Sequence, residues 1–248
     1  GIPTLRLRAD YLAIVTIAAA EIVRILAGSV SWQKWFGGPF GLNGFKDEYN
    51  DLNPYDGPVG SGWFTFRPDS FWSMTVGWSL VAIFSVLVFL LMRSPWGRVQ
   101  RAIREDEDAV RSLGKNVYGY KMQSLIIGGV IGCFGGFVLA LNQGSVVPSD
   151  FTTETTFLAF TMLILGGAAR VLGPVLGAVV VWGLLSLMDG ILAELTKEPD
   201  PTLPTWLVTA DQASAVRFIA VGLALMLLMI FRPQGILGDR KEIALDAR

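Results

Sequence analysis

The sequence contains no histidine, a single cysteine and almost no excess of charge of either sign. Each scarcity removes a class of chemistry. Without histidine there is no Ser-His triad, no histidine-ligated metal and no use of the commonest general base. The one cysteine, Cys133, sits inside an apolar run, so no disulfide framework exists. A net charge of −1 leaves no domain-wide basic face for a nucleic acid. No Gly-x-x-x-x-Gly-Lys-Ser/Thr stretch occurs, so the chain brings no P-loop of its own to ATP. The apolar runs hold no carboxylate cluster either, which argues against a membrane-embedded enzyme; no cofactor or metal site is expected.

What the 248 residues do have is apolar length. Hydrophobic residues make up 52% and the mean hydropathy is +0.50. Soluble domains rarely reach that value, whereas several apolar segments of spanning length explain it directly. The expected fold is all-α: a polytopic helical membrane protein of about six transmembrane segments, forming one domain over 1–248. The segments run over about 11–27, 71–92, 122–141, 151–169, 171–193 and 213–231. In the first, Glu21 and Arg24 stand three apart on one helical face. They form either an intramembrane functional pair or, the reading preferred here, a contact packed against a neighbouring helix.

The joins between segments are equally informative. From about 28 to 70 the chain is polar and rich in Gly, Pro and Asn, with Asp47, Glu48, Asp51 and Asp56 outnumbering Lys34 and Lys46. It reads as an external loop with turn chemistry, serving as a connector or as a receiver for a delivery protein. Trp32, Trp35, Trp63 and Trp72 read as interfacial anchors. In the third segment, Gly128-x-x-x-Gly132-x-x-x-Gly136 places small residues along one stripe, which suits close helix packing rather than nucleotide binding. The run Gly166 to Pro174 is full of helix breakers around Arg170. It is either a tight inner turn, preferred here, or the break of a re-entrant pair. Asp189 sits late in the fifth segment, and 194–212 is acidic and Pro-rich, another external loop.

The densest charge lies between the second and third segments, at about 93–121. Ser94 is a helix cap, Pro95 suits a first turn and Gly114 sits where a helix ends, so one helix is expected between them. Val99, Ala102, Ile103, Ala109, Val110 and Leu113 form its apolar side at roughly helical spacing. Arg93, Arg98, Arg101, Arg104, Arg111, Lys115 and Lys121 make this the most basic loop, which places it in the cytoplasm. Six crossings from a cytoplasmic start then put this loop, Arg170 and the basic tail inside, with both ends cytoplasmic, and every long acidic loop outside.

The run GRVQRAIREDEDAVRSLGKNVYGYK resembles the cytoplasmic coupling loop of the branched-chain amino acid permeases of bacterial ABC transporters, in particular the LivM-type subunit. LRLRADYLAIVTIAAAEIVRIL, FTMLILGGAARVLGPVLGAV and FRPQGILG fit the same family in the same order. The resemblance implies a bacterial inner-membrane permease subunit that moves branched-chain or related amino acids by alternating access. It implies further N-terminal spans ahead of Gly1, so the chain is expected to be a fragment. The implied partners are a second permease subunit, two cytoplasmic ABC ATPases, an extracytoplasmic binding protein and membrane lipid, with ATP hydrolysis left to the ATPases. Arg104, Glu105, Asp106, Glu107, Ala109 and Gly114 would then dock on an ATPase. Taken without the resemblance, the same charges read as a solvated helix, with Arg101/Glu105 and Arg104/Asp108 paired at i,i+4 spacing. A secondary transporter or channel for a small organic solute, including urea or short-chain amides, is the alternative function.

Overall fold

A computed structural model of the chain describes residues 9–61, 64–168, 170–195, 219, 222, 223, 226, 230, 231 and 235–238. The chain falls into two units, Gly1–Thr155 and Thr156–Arg248.

The first unit is built on two long apolar helices. A first helix, α1 (Ala9–Ala27), leads into a stretch of short pieces, among them α2 (Gln33–Phe36) and α3 (Lys46–Asn50). The strands β1 (Leu42–Asn43), β2 (Val59–Ser61) and β3 (Phe64–Phe66) follow the same stretch. The first long helix, α4 (Pro68–Arg93), starts with proline in its first turn, where the missing N–H costs nothing. After the loop helices α5 (Pro95–Glu105) and α6 (Glu107–Ser112), the second long helix, α7 (Val117–Gln143), returns to the end from which α4 began. Gly144, at φ 74°, ends it. The two pack through the rings of Phe84 and Phe134, 5.1 Å apart, and through Val138 against Gly77.

The connectors at that end interlock. β4 (Ser145–Val146) pairs antiparallel with β1, in the register Leu42 to Val146 and Asn43 to Ser145. β2 and β3 make a separate hairpin. Lys46 Nζ donates to the Asn142 carbonyl, 3.4 Å away. Tyr49 stacks on Trp72 at 6.0 Å and Tyr55 meets Phe71 edge-on at 5.0 Å, so Trp72 belongs to a packed aromatic cluster. Trp63 lies outside the described residues.

In the second unit, α8 (Thr153–Gly166, its first turn in the first unit) and α9 (Gly173–Leu195) meet at a joint of bare backbone. A Cβ on Gly177 would lie 2.9 Å from Gly166 N and closer still to the Met162 carbonyl oxygen, so only glycine fits. Leu165, Val181 and Leu185 are buried together, with Leu158, Met162 and Ile236 packed on them. The N–H groups of Ile236 and Leu237 donate to the carbonyls of Leu165 and Gly166 (2.8 and 3.1 Å), capping α8 from far along the chain. Arg170 is exposed in the turn between them.

Among the described residues, three helices are long and apolar enough to cross a membrane: α4, α7 and Gly173–Leu192 of α9. The protein is a polytopic helical membrane protein. Of the other expected spans, α8 has 14 residues, about 21 Å of helix against a hydrocarbon layer of about 30 Å. It is too short to cross alone as a straight helix. The segment expected at 213–231 lies for the most part outside the described residues. Glu21 and Arg24 pair with each other, Arg24 Nε donating to Glu21 Oε2 at 2.9 Å. The small-residue stripe has no packing partner within the described chain at Gly128, Gly129, Gly132 or Gly135; only Gly136 approaches Phe151.

Candidate functional site

The basic loop is two helices, not the single helix expected between Ser94 and Gly114. α5 starts as α4 ends, with Ser94 serving both: its Oγ donates to the Leu91 carbonyl (2.6 Å) and accepts from Gly97 N (3.4 Å). Gly97 is buried in this corner, where a Cβ would lie 2.5 Å from Met92 Cα and closer to its carbonyl oxygen. At Asp106 the chain turns extended (φ −154°, ψ 104°), and the Asp106 carboxylate accepts from the N–H groups of Asp108 (3.0 Å) and Ala109 (2.9 Å). Asp106 is therefore the N-cap of α6, with Glu107 and Asp108 in its positive first turn. Gly114, at φ 74°, closes α6: Gly114 N donates to Arg111 O (3.0 Å) and Lys115 N to Val110 O (3.4 Å). These two bonds are the Schellman pattern.

The pair is fastened on one side and open on the other. Ile103, Val110 and Val117 are buried together, one each from α5, α6 and α7, with Val99, Ala102 and Tyr120 around them. Polar ties reinforce this seam. Gln100 Nε2 donates to the Tyr120 carbonyl and Trp96 Nε1 to Gln123 Oε1, each at 2.8 Å. Arg101 donates to the Met92 carbonyl at the end of α4, a use that i,i+4 spacing does not signal. Glu107 is held from two sides, by Arg111 at 2.8 Å and by Lys121 of α7; Asp108 also meets Arg111, at 3.2 Å.

The six residues expected to dock thus divide. Asp106 caps a helix and Glu107 ties α6 to α7, so both carry structural duties. Arg104, Glu105, Ala109 and Gly114 are exposed along the open side. Leu113 joins them. Counted as part of one continuous helix it belongs to the buried stripe; in the structure it follows α6 where the chain turns through Gly114, and it is 79% exposed. Ala109 leaves the stripe for the same reason, since the break at Asp106 resets the helical phase. An Asp followed by Glu, Asp and Ala is an N-cap signal that marks this break. The open side is an apolar spot, Ala109 and Leu113, rimmed by charges of both signs.

The profile of the family described as "branched-chain amino acid transport system / permease component" matches residues 1–231. The chain belongs to this family. It is 32% identical to the high-affinity branched-chain amino acid transport system permease protein LivM of Salmonella typhimurium, over 96% of this chain and 53% of that protein. The corresponding LivM of Escherichia coli is 31% identical over the same shares. A probable branched-chain amino acid transport permease protein LivM of Methanocaldococcus jannaschii is 24% identical over 98% of this chain and 64% of that one. The chain spans about half the length of the Salmonella typhimurium and Escherichia coli relatives. No solved structure matches it.

Proposed function

We propose that this chain is part of a permease subunit of an ABC importer for branched-chain or related amino acids in a bacterial inner membrane. In this reading 1–248 is one permease domain of about six spans, with both ends and the α5–α6 loop in the cytoplasm. Its partners are a second permease subunit, two ATPases and an external binding protein. The relatives' shared description supports the substrate class, and the charge pattern of the loops supports the sidedness.

The observation that carries the mechanism is the double fastening of the loop. α5 is wedged against the end of α4 at Gly97, and α6 is tied to α7 by Val110 and by Glu107–Lys121. A force applied to the open side, at Glu105, Ala109, Leu113 and Gly114, reaches both spans through packed side chains and short bonds rather than through slack chain. ATPase closure would thereby tilt α4 and α7, the movement that alternating access requires. The test is ATP hydrolysis by the assembled complex in lipid. Stimulation by a binding protein loaded with leucine, isoleucine or valine is the expected result; solute flux that proceeds at full rate without the ATPases would refute the importer reading.

A further inference from the structure

The segment between α1 and β1 carries an exposed apolar set that the transport reading does not use. The chain bends by 69° between Ala13–Ala27 and Val30–Phe36. Over 30–40 it exposes Val30 (72%), Trp32, Trp35 (73%), Phe36 and Phe40 (76%), with Lys34 exposed among them. The backbone beneath these side chains is nevertheless tied down at both ends. At one end Gly28 packs against Pro148, 3.7 Å from where its Cβ would be. At the other, β1 pairs with β4, and Gly41, at φ 65°, sits so close to Val146 that a Cβ would fall 2.7 Å from its carbonyl carbon. Both anchor points lie within seven residues of Gln143, the end of α7.

This fixes the level of the segment. α4 and α7 have 26 and 27 residues, about 40 Å of helix, so their ends stand in the headgroup layers on either side of a hydrocarbon layer of about 30 Å. A loop clamped beside the end of α7 sits in the same layer. A protein in water does not hold five large apolar side chains out on a braced loop without something to cover them. Indole and phenyl rings next to a lysine match one environment at this level: the boundary between acyl chains and lipid phosphates. Ile22, Val23, Ile25 and Leu26, on the last turns of α1, are exposed as well.

We propose that Val30–Phe40 is a membrane-interface foot. Trp32, Trp35, Phe36 and Phe40 are embedded at the acyl–headgroup boundary of the leaflet at that end, and Lys34 reaches lipid phosphate. The foot fixes the depth of α1 and, through β1–β4 and Gly28–Pro148, of α7 as well. The inference rests on the membrane fold and not on the identity of the transported solute.

The test is spin labelling of the full-length protein in liposomes of mixed zwitterionic and anionic phospholipid. In a Cys133→Ser background, single cysteines replace Trp35, Phe40, Asp56 and Ile83 in turn. Asp56 supplies an aqueous reference and Ile83 of α4 an apolar one. The foot is supported if labels at 35 and 40 collide with oxygen in preference to a water-soluble nickel chelate, at a depth between the two references. Labels at 35 and 40 that behave like the label at 56 would overturn it. Exclusion of both reagents would also overturn it, since that result means another protein segment covers the loop.

Discussion

Replacing Gly97 with alanine perturbs the corner on which the loop's geometry depends. The added Cβ would lie 2.5 Å from Met92 Cα, whereas ordinary contact begins near 3.4 Å, a deficit of about 0.9 Å. The obstacle is backbone, so no side chain can swing aside. Overpacking of this kind costs roughly 1–3 kcal/mol, which shifts the ratio of docked to displaced α5 by about 5- to 150-fold. If α5 moves by the missing 0.9 Å, the 2.8 Å bonds from Gln100 to Tyr120 and from Trp96 to Gln123 stretch beyond hydrogen-bond range. The assay compares ATP hydrolysis stimulated by the loaded binding protein with protease sensitivity of the loop, in the assembled complex. Gly97→Ala should lose most of the stimulation and become more readily cleaved between α5 and α6, while expression and insertion persist. Gly57→Ala, whose Cβ meets nothing within 4 Å, should change neither. Stimulation and cleavage at wild-type levels in Gly97→Ala would refute the claim that this corner transmits force.

Other expectations follow from the same contacts. Asp106→Ala removes the cap of α6 at a cost of about 1 kcal/mol, so the amides of Asp108 and Ala109 should exchange hydrogen roughly fivefold faster, with α4 unaffected. Lys121→Met breaks a partly exposed ion pair worth about 0.2–1 kcal/mol; its effect on thermal unfolding should be small and shrink in high salt. Gly177→Ala pushes backbone against backbone at the α8–α9 joint and should sharply reduce the yield of monodisperse protein by size exclusion, whereas Gly183→Ala, with open space around it, should not.

The long elements were legible because apolar length is a coarse signal. α4 and α7 extend the expected 71–92 and 122–141 by one to five residues at each end, through a proline and an asparagine that begin helices. Ser94 and Gly114 were readable as the outer bounds of the loop because capping is a local property of side chain and φ. The break at Asp106 was missed because a helical count of apolar residues runs straight through it, and that error carried Ala109 and Leu113 to the buried face. The ties at Gln100, Arg101 and Gln123 depend on which turn of α4 and α7 lies opposite, a tertiary fact that no spacing within the loop encodes. The same holds for Ile236 and Leu237, which cap α8 from about seventy residues away.

In the proposed mechanism the open side of α5–α6 meets an ATPase and carries its closure to the spans. The most direct measurement is crosslinking from a single cysteine at Ala109, with Cys133→Ser, in full-length protein co-expressed with its candidate ATPases. An adduct whose yield changes between nucleotide-free and ATP-bound states is expected, and a weaker adduct when Leu113→Ala is added. No adduct from Ala109 or Leu113 in either state, with folded ATPase present, would contradict it and leave the loop a solvated connector.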